Sequence, residues 1–150
     1  MINDNYIKFR LLSEEAKLPI RKHVTDAGLD LSATGYYFIP PGEMKPVSTG
    51  LAVAIDRGYV GLVFSRSGMG KIKVTLSNSV GVIDADYRGE LIVMVQNNGI
   101  EPFVINIHDR IAQLVILPVY TPIPIAYNGT EEDWLDTCRG DKGFGSTGTK

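Results

Sequence analysis

Arg66, Ser67 and Gly68 stand in succession directly after an apolar stretch that ends at Phe64. A guanidinium, a hydroxyl and a glycine that lets a ligand come close to its amide make a compact anion site, because phosphate is held best by bidentate and backbone donors together. So short a pattern equally fits an ordinary strand exit with a solvated arginine. A second group lies in GVIDADYRGEL, residues 81–91, where Asp84 and Asp86 are separated by one residue between apolar segments. On a strand they would project to one side, as a metal pair or as an acid and a base. The competing reading is a hairpin whose turn uses Asp86 and Gly89. It explains Asp84 poorly, since a carboxylate directly after residues 80–83 is expected to be partly buried and to need a partner. A third group is RGDKGFGSTG, residues 139–148. Its glycines, with Arg139, Ser146 and Thr147, could cradle a terminal phosphate while Phe144 stacks on a base. It is not a Walker P-loop, which requires GxxxxGK, then Ser or Thr, then a helix.

Single residues carry weaker signals. Asp30 in AGLDLSA reads first as a strand-edge carboxylate, and Arg110 as a structural cation paired with a nearby acid. Gln113 is an amide inside the apolar run RIAQLVIL, so it must either brace the backbone or face a ligand. His23 and His108 have no Cys or His at ligand spacing and read as loop or surface residues. Cys138 is the sole cysteine, which excludes an intrachain disulfide and fits a reducing compartment. With only Arg139 as a basic neighbour, it has no activated-thiol signature.

The elements that must position these residues read as strands. Apolar residues recur with period two or in β-branched runs, interrupted by Gly or Pro about every 8–12 residues. Ile7, Phe9 and Leu11 alternate with polar neighbours, and residues 47–55 and 58–64 flank Asp56-Arg57-Gly58 as an expected hairpin. Residues 91–95 and 111–117 are nearly continuous apolar runs, expected as central strands buried on both faces. Asn97-Asn98-Gly99 and Pro40-Pro41-Gly42 are expected turns, the former through residues that tolerate positive φ. Only residues 69–76 suggest a short helix, and the β-branched Val74 and Thr75 weaken it. Residues 128–150 are polar and glycine-rich, which by composition alone reads as a disordered tail.

With 150 residues and 44% hydrophobic content, the chain can bury one core and is read as one domain. A formal charge of −2 argues against a broad footprint for nucleic acid, so any polyanion must be gripped by a few placed side chains. Residues 1–10 have neither the apolar run of a signal peptide nor the length of a membrane span, so a cytosolic location, or a nuclear one, is expected.

Taken in order, AGLDLSA, SRSGMG, GVIDADYRGEL, RIAQLVIL and RGDKGFGSTG resemble the five ordered motifs of the dUTPase family, over residues 27–148. Each is weak alone, but coincidence of five in order is negligible. The resemblance implies an all-β, jelly-roll-like subunit with a flexible glycine-rich C-terminal tail, a core over about residues 1–127 and a lid over about residues 128–150. It implies a homotrimer with sites shared between subunits, acting on dUTP with Mg2+ and binding neither nucleic acid nor membrane. Asp84 matches the general base. Arg66, Ser67, Gly68 and Gln113 match the holders of the phosphate chain, and Asp30 the acid that orients magnesium through water. Tyr87 matches the aromatic that refuses a ribose hydroxyl, while Asn78 and the backbone of Gly81, Val82 and Ile83 match the uracil-reading hairpin. In the last motif Phe144 closes over uracil, Arg139, Ser146 and Thr147 reach the γ-phosphate, and Gly145 between them is a further substrate-binding position. The tail is then a lid that orders over ligand.

The chain departs from the family pattern in four places. Ser65 stands where proline is usual, Gly68-Met69-Gly70 replaces a common GLA, the stretch between Gly70 and Asn78 is slightly short, and Lys142 replaces a frequent glycine. Two further readings remain at this level. A dCTP deaminase of the same fold carries a glutamate base and a different Arg and Ser pattern, unlike the RSG and YRG found here. A trimeric regulatory protein could keep the pocket as a switch; a structural protein without ligand leaves the motif order unexplained.

Overall fold

A computed structural model describes residues 6–141 of the chain. Two compact units divide after Tyr120. Among its described residues the first holds eleven short strands: β1 (Lys8–Leu11), β2 (Leu29–Ser32), β3 (Tyr37–Ile39), β4 (Met44–Ser48), β5 (Leu51–Ala54), β6 (Tyr59–Phe64), β7 (Val74–Leu76), β8 (Gly81–Ile83), β9 (Ile92–Asn97), β10 (Phe103–Ile105) and β11 (Arg110–Pro118). One short helix, α1 (Ser67–Lys71), follows β6. The described residues of the second unit include one helical turn, α2 (Glu131–Leu135), where Thr130 Oγ1 accepts from Asp133 N and so caps the turn. The aromatic rings of Tyr127 and Trp134 lie 4.8 Å apart, tilted against each other, over this turn. Cys138 is free and exposed. Among the described residues no helix is long and apolar enough to cross a membrane.

The fold is the expected all-β, jelly-roll-like one. All its ladders are antiparallel: β2-β11-β6-β8, β4-β9-β7, β1-β5 and β3-β10. Their inner faces share one apolar cluster, with Leu31, Ile39, Leu51, Val93, Val95, Ile111 and Leu114 almost wholly buried. One of the two inner strands of the four-stranded sheet is β11, where Gln113 faces Asp30 of β2 on one side and Phe64 of β6 on the other. That register sets the site.

Several local expectations are corrected. Residues 51–54 and 59–64 do not pair with each other across Asp56-Arg57-Gly58: β5 pairs with β1, and β6 with β11 and β8. The turn itself closes, with Tyr59 N donating to Asp56 O at 3.2 Å, but the strands diverge into different sheets. Residues 47–55 are not one strand either, because the chain bends at Gly50, whose φ is +63°. The helix lies at Ser67–Lys71 rather than over residues 69–76; Lys73 takes φ +60° and Val74–Leu76 form β7 against β9. The β-branched pair Val74 and Thr75 thus prevails over helical continuation. Neither β9 nor β11 is buried on both faces, since Ile92 and Leu117 are exposed and burial alternates as in a sheet with one outer side.

Two turns show different devices. Gly42 takes φ +78° and closes residues 40–43, as a glycine is needed to do. At Asn97-Asn98-Gly99 no positive φ occurs. The buried Asn97 amide does the work, donating to Ile39 O at 2.9 Å and Glu101 O at 2.8 Å and accepting from Gly99 N at 2.9 Å. Asn97 is thereby satisfied without solvent, as a buried amide must be.

Candidate functional site

The four-stranded sheet collects one constellation through strand register alone. Asp30 lies on β2, Gln113 beside it on β11, and the chain leaving β6 at Phe64 carries Ser65, Arg66, Ser67 and Gly68 past the same end. Asp30, Arg66, Ser67, Gly68, Arg110 and Gln113 line a cavity of about 500 Å³, together with Lys22, Asp26, Ala27 and Gly28. A cavity of that size is of the order expected for a small-molecule site.

The Asp30 carboxylate organises it. Arg66 Nε donates to Oδ1 at 2.9 Å and an Arg110 terminal nitrogen to Oδ2 at 3.0 Å. Arg110 is thus the structural cation, paired with an acid, that its position at the start of β11 suggests. Asp30 is 17% exposed and the two arginines 30% and 41%, so water screens both pairs and each contributes on the order of 1 kcal/mol or less to stability. Their effect is geometric: Arg66 is held by Nε, and one terminal nitrogen reaches the Arg110 carbonyl only at 3.4 Å. The guanidinium edge is therefore incompletely used. An arginine so fixed is prepared for planar oxyanion recognition.

Gln113 donates through Nε2 to Ser65 O at 3.2 Å, which braces the strand exit. Its side chain fills the space above Gly28, where any Cβ would fall on Gln113 Oε1 and lie 3.1 Å from its Cβ. Glycine at position 28 is what lets the amide turn into the cavity. Ser67 and Gly68 open α1, so their amides precede its first intrahelical bonds, which Met69 N and Gly70 N make to Arg66 O. Gly68 has open space where a Cβ would stand. Lys22 and Asp26 were not singled out from sequence; they arrive because Ile20 bridges to Asp30 and the loop between folds on itself, with His23 N donating to Asp26 Oδ2 at 2.8 Å. Only the polar character of the loop before AGLDLSA hinted at them.

A second group does not line this cavity. β8 is the edge strand of the sheet, so the outer peptide groups of Gly81, Val82 and Ile83 have no ladder partner. Val82 is 62% exposed and Asn78 lies in the exposed turn before it. β7 and β8 are joined by that turn but pair with β9 and β6 respectively, so they form no two-stranded hairpin. Nor do Asp84 and Asp86 lie on a strand. Tyr87 N donates to Asp84 O at 3.1 Å, so the pair sits in a turn after β8, and β9 does not pair back on β8. Asp84 is exposed and its carboxylate has no hydrogen-bond partner among the described residues, contrary to the expected burial. The strand ends one residue too early to cover it. The Tyr87 phenol donates to Glu90 O at 2.9 Å.

Register also measures the separation of the two groups. Ile83 faces Gly61, three residues before Phe64, so Asp84 and the exit toward Arg66 run apart along the sheet by more than about 10 Å of extended chain. One chain does not bring Asp84 to the cavity of Asp30 and Arg66. Of the remaining candidates, Arg139 is exposed in the second unit, while Lys142, Phe144, Gly145, Ser146 and Thr147 lie outside the described residues. His23 is exposed in its loop, and His108 contacts Glu15 Oε2 at 3.3 Å in another.

For a magnesium ion the donor set fits one role and not another. Both Asp30 oxygens already accept from arginines, and no group of three His, Cys, Asp or Glu residues gathers among the described residues. Such a donor set would suit a cation held through its own waters rather than in an all-protein cage among the described residues.

Comparison with known proteins agrees with this geometry. The dUTPase family model matches residues 14–148. The deoxyuridine 5'-triphosphate nucleotidohydrolase of Corynebacterium glutamicum is 46% identical over 144 residues, covering 95% of this chain and 94% of that protein. That of Syntrophotalea carbinolica is 46% identical over 145 residues, covering 95% and 96%. Among solved structures, the Staphylococcus bacteriophage 80alpha dUTPase with dUpNHpp superposes with a TM-score of 0.87 at 32% identity, covering 96% of this chain and 99% of that one. A mutant dUTPase from phage phi11 of S. aureus, described as coordinating a structural Mg(II) ion, gives 0.78 at 34% identity, covering 85% and 99%. A cavity built from three of the ordered motifs, on a sheet superposable with these enzymes, places the chain in the dUTPase family of nucleotidohydrolases.

Proposed function

We propose that this chain hydrolyses dUTP to dUMP and pyrophosphate with Mg2+, limiting uracil incorporation into DNA and supplying dUMP for thymidylate synthesis. The observation that carries the reading is the joint presence of Asp30, Arg66, Ser67, Gly68 and Gln113 around one cavity. The activity for which the relatives are named and the 80alpha dUTPase structure with dUpNHpp support the same substrate.

In this reading Arg66, the Ser67 hydroxyl, the Gly68 amide and Gln113 hold the phosphate chain, and Asp30 accepts hydrogen bonds from water on the ion. When bound with the triphosphate, magnesium supplies neutralising charge and alignment of the phosphates. Asp84 accepts the proton of a water whose oxygen attacks the α-phosphorus; the bond to the bridging oxygen breaks and pyrophosphate leaves. The edge peptides of Gly81, Val82 and Ile83, with Asn78, read the uracil edge. Tyr87 packs on the deoxyribose and leaves no room for a 2'-hydroxyl. A polar site of this kind refuses a wrong base strongly, because buried donors and acceptors are left unpaired.

Asp84 is remote from Arg66 within one chain, and that separation supports a homotrimer in which one subunit supplies Asp84 and Tyr87 while another supplies the phosphate cavity. Over the combined site the tail of residues 128–150 acts as a lid, with Phe144 on uracil, Arg139, Ser146 and Thr147 at the γ-phosphate, and Gly145 in the same substrate-binding segment.

Three outcomes test the assignment. Asp84→Asn lowers turnover by about 10² or more while calorimetry still detects nucleotide binding, since base catalysis is removed and contacts are not; near-normal turnover would show that another group is the base. Gly28→Ala displaces Gln113, so kcat/KM for dUTP falls by about tenfold with the protein still folded, and an unchanged value would show that Gln113 does not touch substrate. Truncation after Tyr127 cripples catalysis and leaves the β core melting cooperatively; loss of folding would contradict a lid.

A further inference from the structure

We propose that Glu90 is a positioning residue, which ties the turn carrying Asp84 and Tyr87 to the rigid frame of the sheet and so sets both turnover and the preference for a deoxy sugar. The proposal rests on the roles given above to Asp84 and Tyr87.

Residues 84–89 form an exposed turn held mostly by bonds within itself. Tyr87 N closes it on Asp84 O, and one Arg88 terminal nitrogen donates to Ala85 O at 2.7 Å and Tyr87 O at 2.8 Å. Such bonds give the turn a shape without fixing where it stands. Only Ala85 of the turn packs partly against the core. Position must come from the two ends. On the N-terminal side, β8 is laddered to β6 over three residues.

On the C-terminal side the junction at Glu90 and Leu91 is clamped. The Glu90 carboxylate accepts from Gly50 N at 2.8 Å and from the Ser48 hydroxyl. Leu91 N donates to Leu51 O at 2.7 Å, and the buried Thr49 hydroxyl donates to Leu91 O at 2.6 Å. The partner segment cannot drift. Gly50 takes φ +63°, and a Cβ there would meet Ser13 Oγ at 2.7 Å, Ala16 Cβ at 2.8 Å and Thr34 Cγ2 at 2.9 Å. Ser48 is fixed in turn, its Oγ accepting from Thr34 Oγ1 at 2.9 Å and its N donating to Tyr37 Oη at 3.0 Å. Glu90 is therefore the point where a turn held mostly by its own bonds meets a segment that has no freedom.

Tyr87 is coupled to that point directly. Its phenol donates to Glu90 O, and its ring lies over Gly89, where a Cβ would come within 2.6 Å of Tyr87 Cζ. A shift of the Glu90 backbone is passed to the Tyr87 ring, which bounds the sugar in that reading, and through the Tyr87 N to Asp84 O bond to the turn that carries the Asp84 carboxylate. A displacement of about 1 Å in a reacting group can cost about 10² in rate.

The test uses the full chain with Glu90→Ala, Glu90→Gln and Ser48→Ala, measuring melting temperature and kcat and KM on dUTP and UTP. Glu90→Ala is expected to lower kcat on dUTP about tenfold with a smaller change in KM, and to narrow the preference for dUTP over UTP about fivefold. Glu90→Gln recovers most of both, because the carboxamide oxygen still accepts from Gly50. A purely structural role would lower the melting temperature and leave the kinetics of the folded protein alone, so a folded Glu90→Ala with kcat and sugar preference within about twofold of the parent overturns the proposal. If Glu90→Ala does not fold, Ser48→Ala decides: a narrowed sugar preference supports the clamp, and unchanged kinetics overturn it. A parent inactive on dUTP would overturn the reading on which the proposal rests; an active parent with inactive Asp84→Asn and unaffected Glu90 variants would overturn the proposal alone.

Discussion

A single strand register governs the candidate phosphate cavity. Because Gln113 of β11 faces Asp30 on one flank and Phe64 on the other, three segments far apart in sequence arrive at one end of one sheet. The register is strongly held, since a slip of one residue would turn Ala112 and Leu114 out of the core and Gln113 into it. The hydrophobic pattern that stabilises β11 is thus the same pattern that aims Gln113, and the fold and the site share one constraint.

Within that frame, the Asp30 carboxylate has more geometric than energetic importance. Screened by solvent, its two pairs with Arg66 and Arg110 add little stability, yet they fix two guanidinium groups around a cavity that also holds Lys22. An exposed arginine ordinarily loses side-chain entropy when it grips an anion; one already held at Nε has lost much of it on folding. Each Asp30 oxygen accepts one arginine hydrogen bond and keeps a lone pair for a further donor.

The sequence disclosed the chemistry better than the connections. Motif order and period-two patterning sufficed for the family, the all-β class and the turn at Gly42, because these depend on residue type and local backbone geometry. Strand partners were not legible: the turn at residues 56–58 forms, but β5 and β6 find partners far along the chain. Local turn chemistry cannot report such non-local pairing. The end of α1 and the start of β7 were misplaced because Val74 and Thr75 are decided by β9, which no short window contains. Lys22 and Asp26 join the cavity through the Ile20 bridge to Asp30, and Glu90 meets Gly50 only because residues 48–51 fold back on residue 91. Asp84 was expected to be covered and is not, since β8 stops at Ile83 and the following turn opens outward.

In the proposed function the phosphate cavity, the β8 edge and Tyr87 together select one nucleotide for α-phosphorus hydrolysis. Pyrophosphate release measured with magnesium from dUTP, dCTP, dTTP and UTP side by side tests base, sugar and reaction at once. Rapid release from dUTP alone is the predicted result. Comparable release from all four, or none from any of them by folded protein, would contradict it.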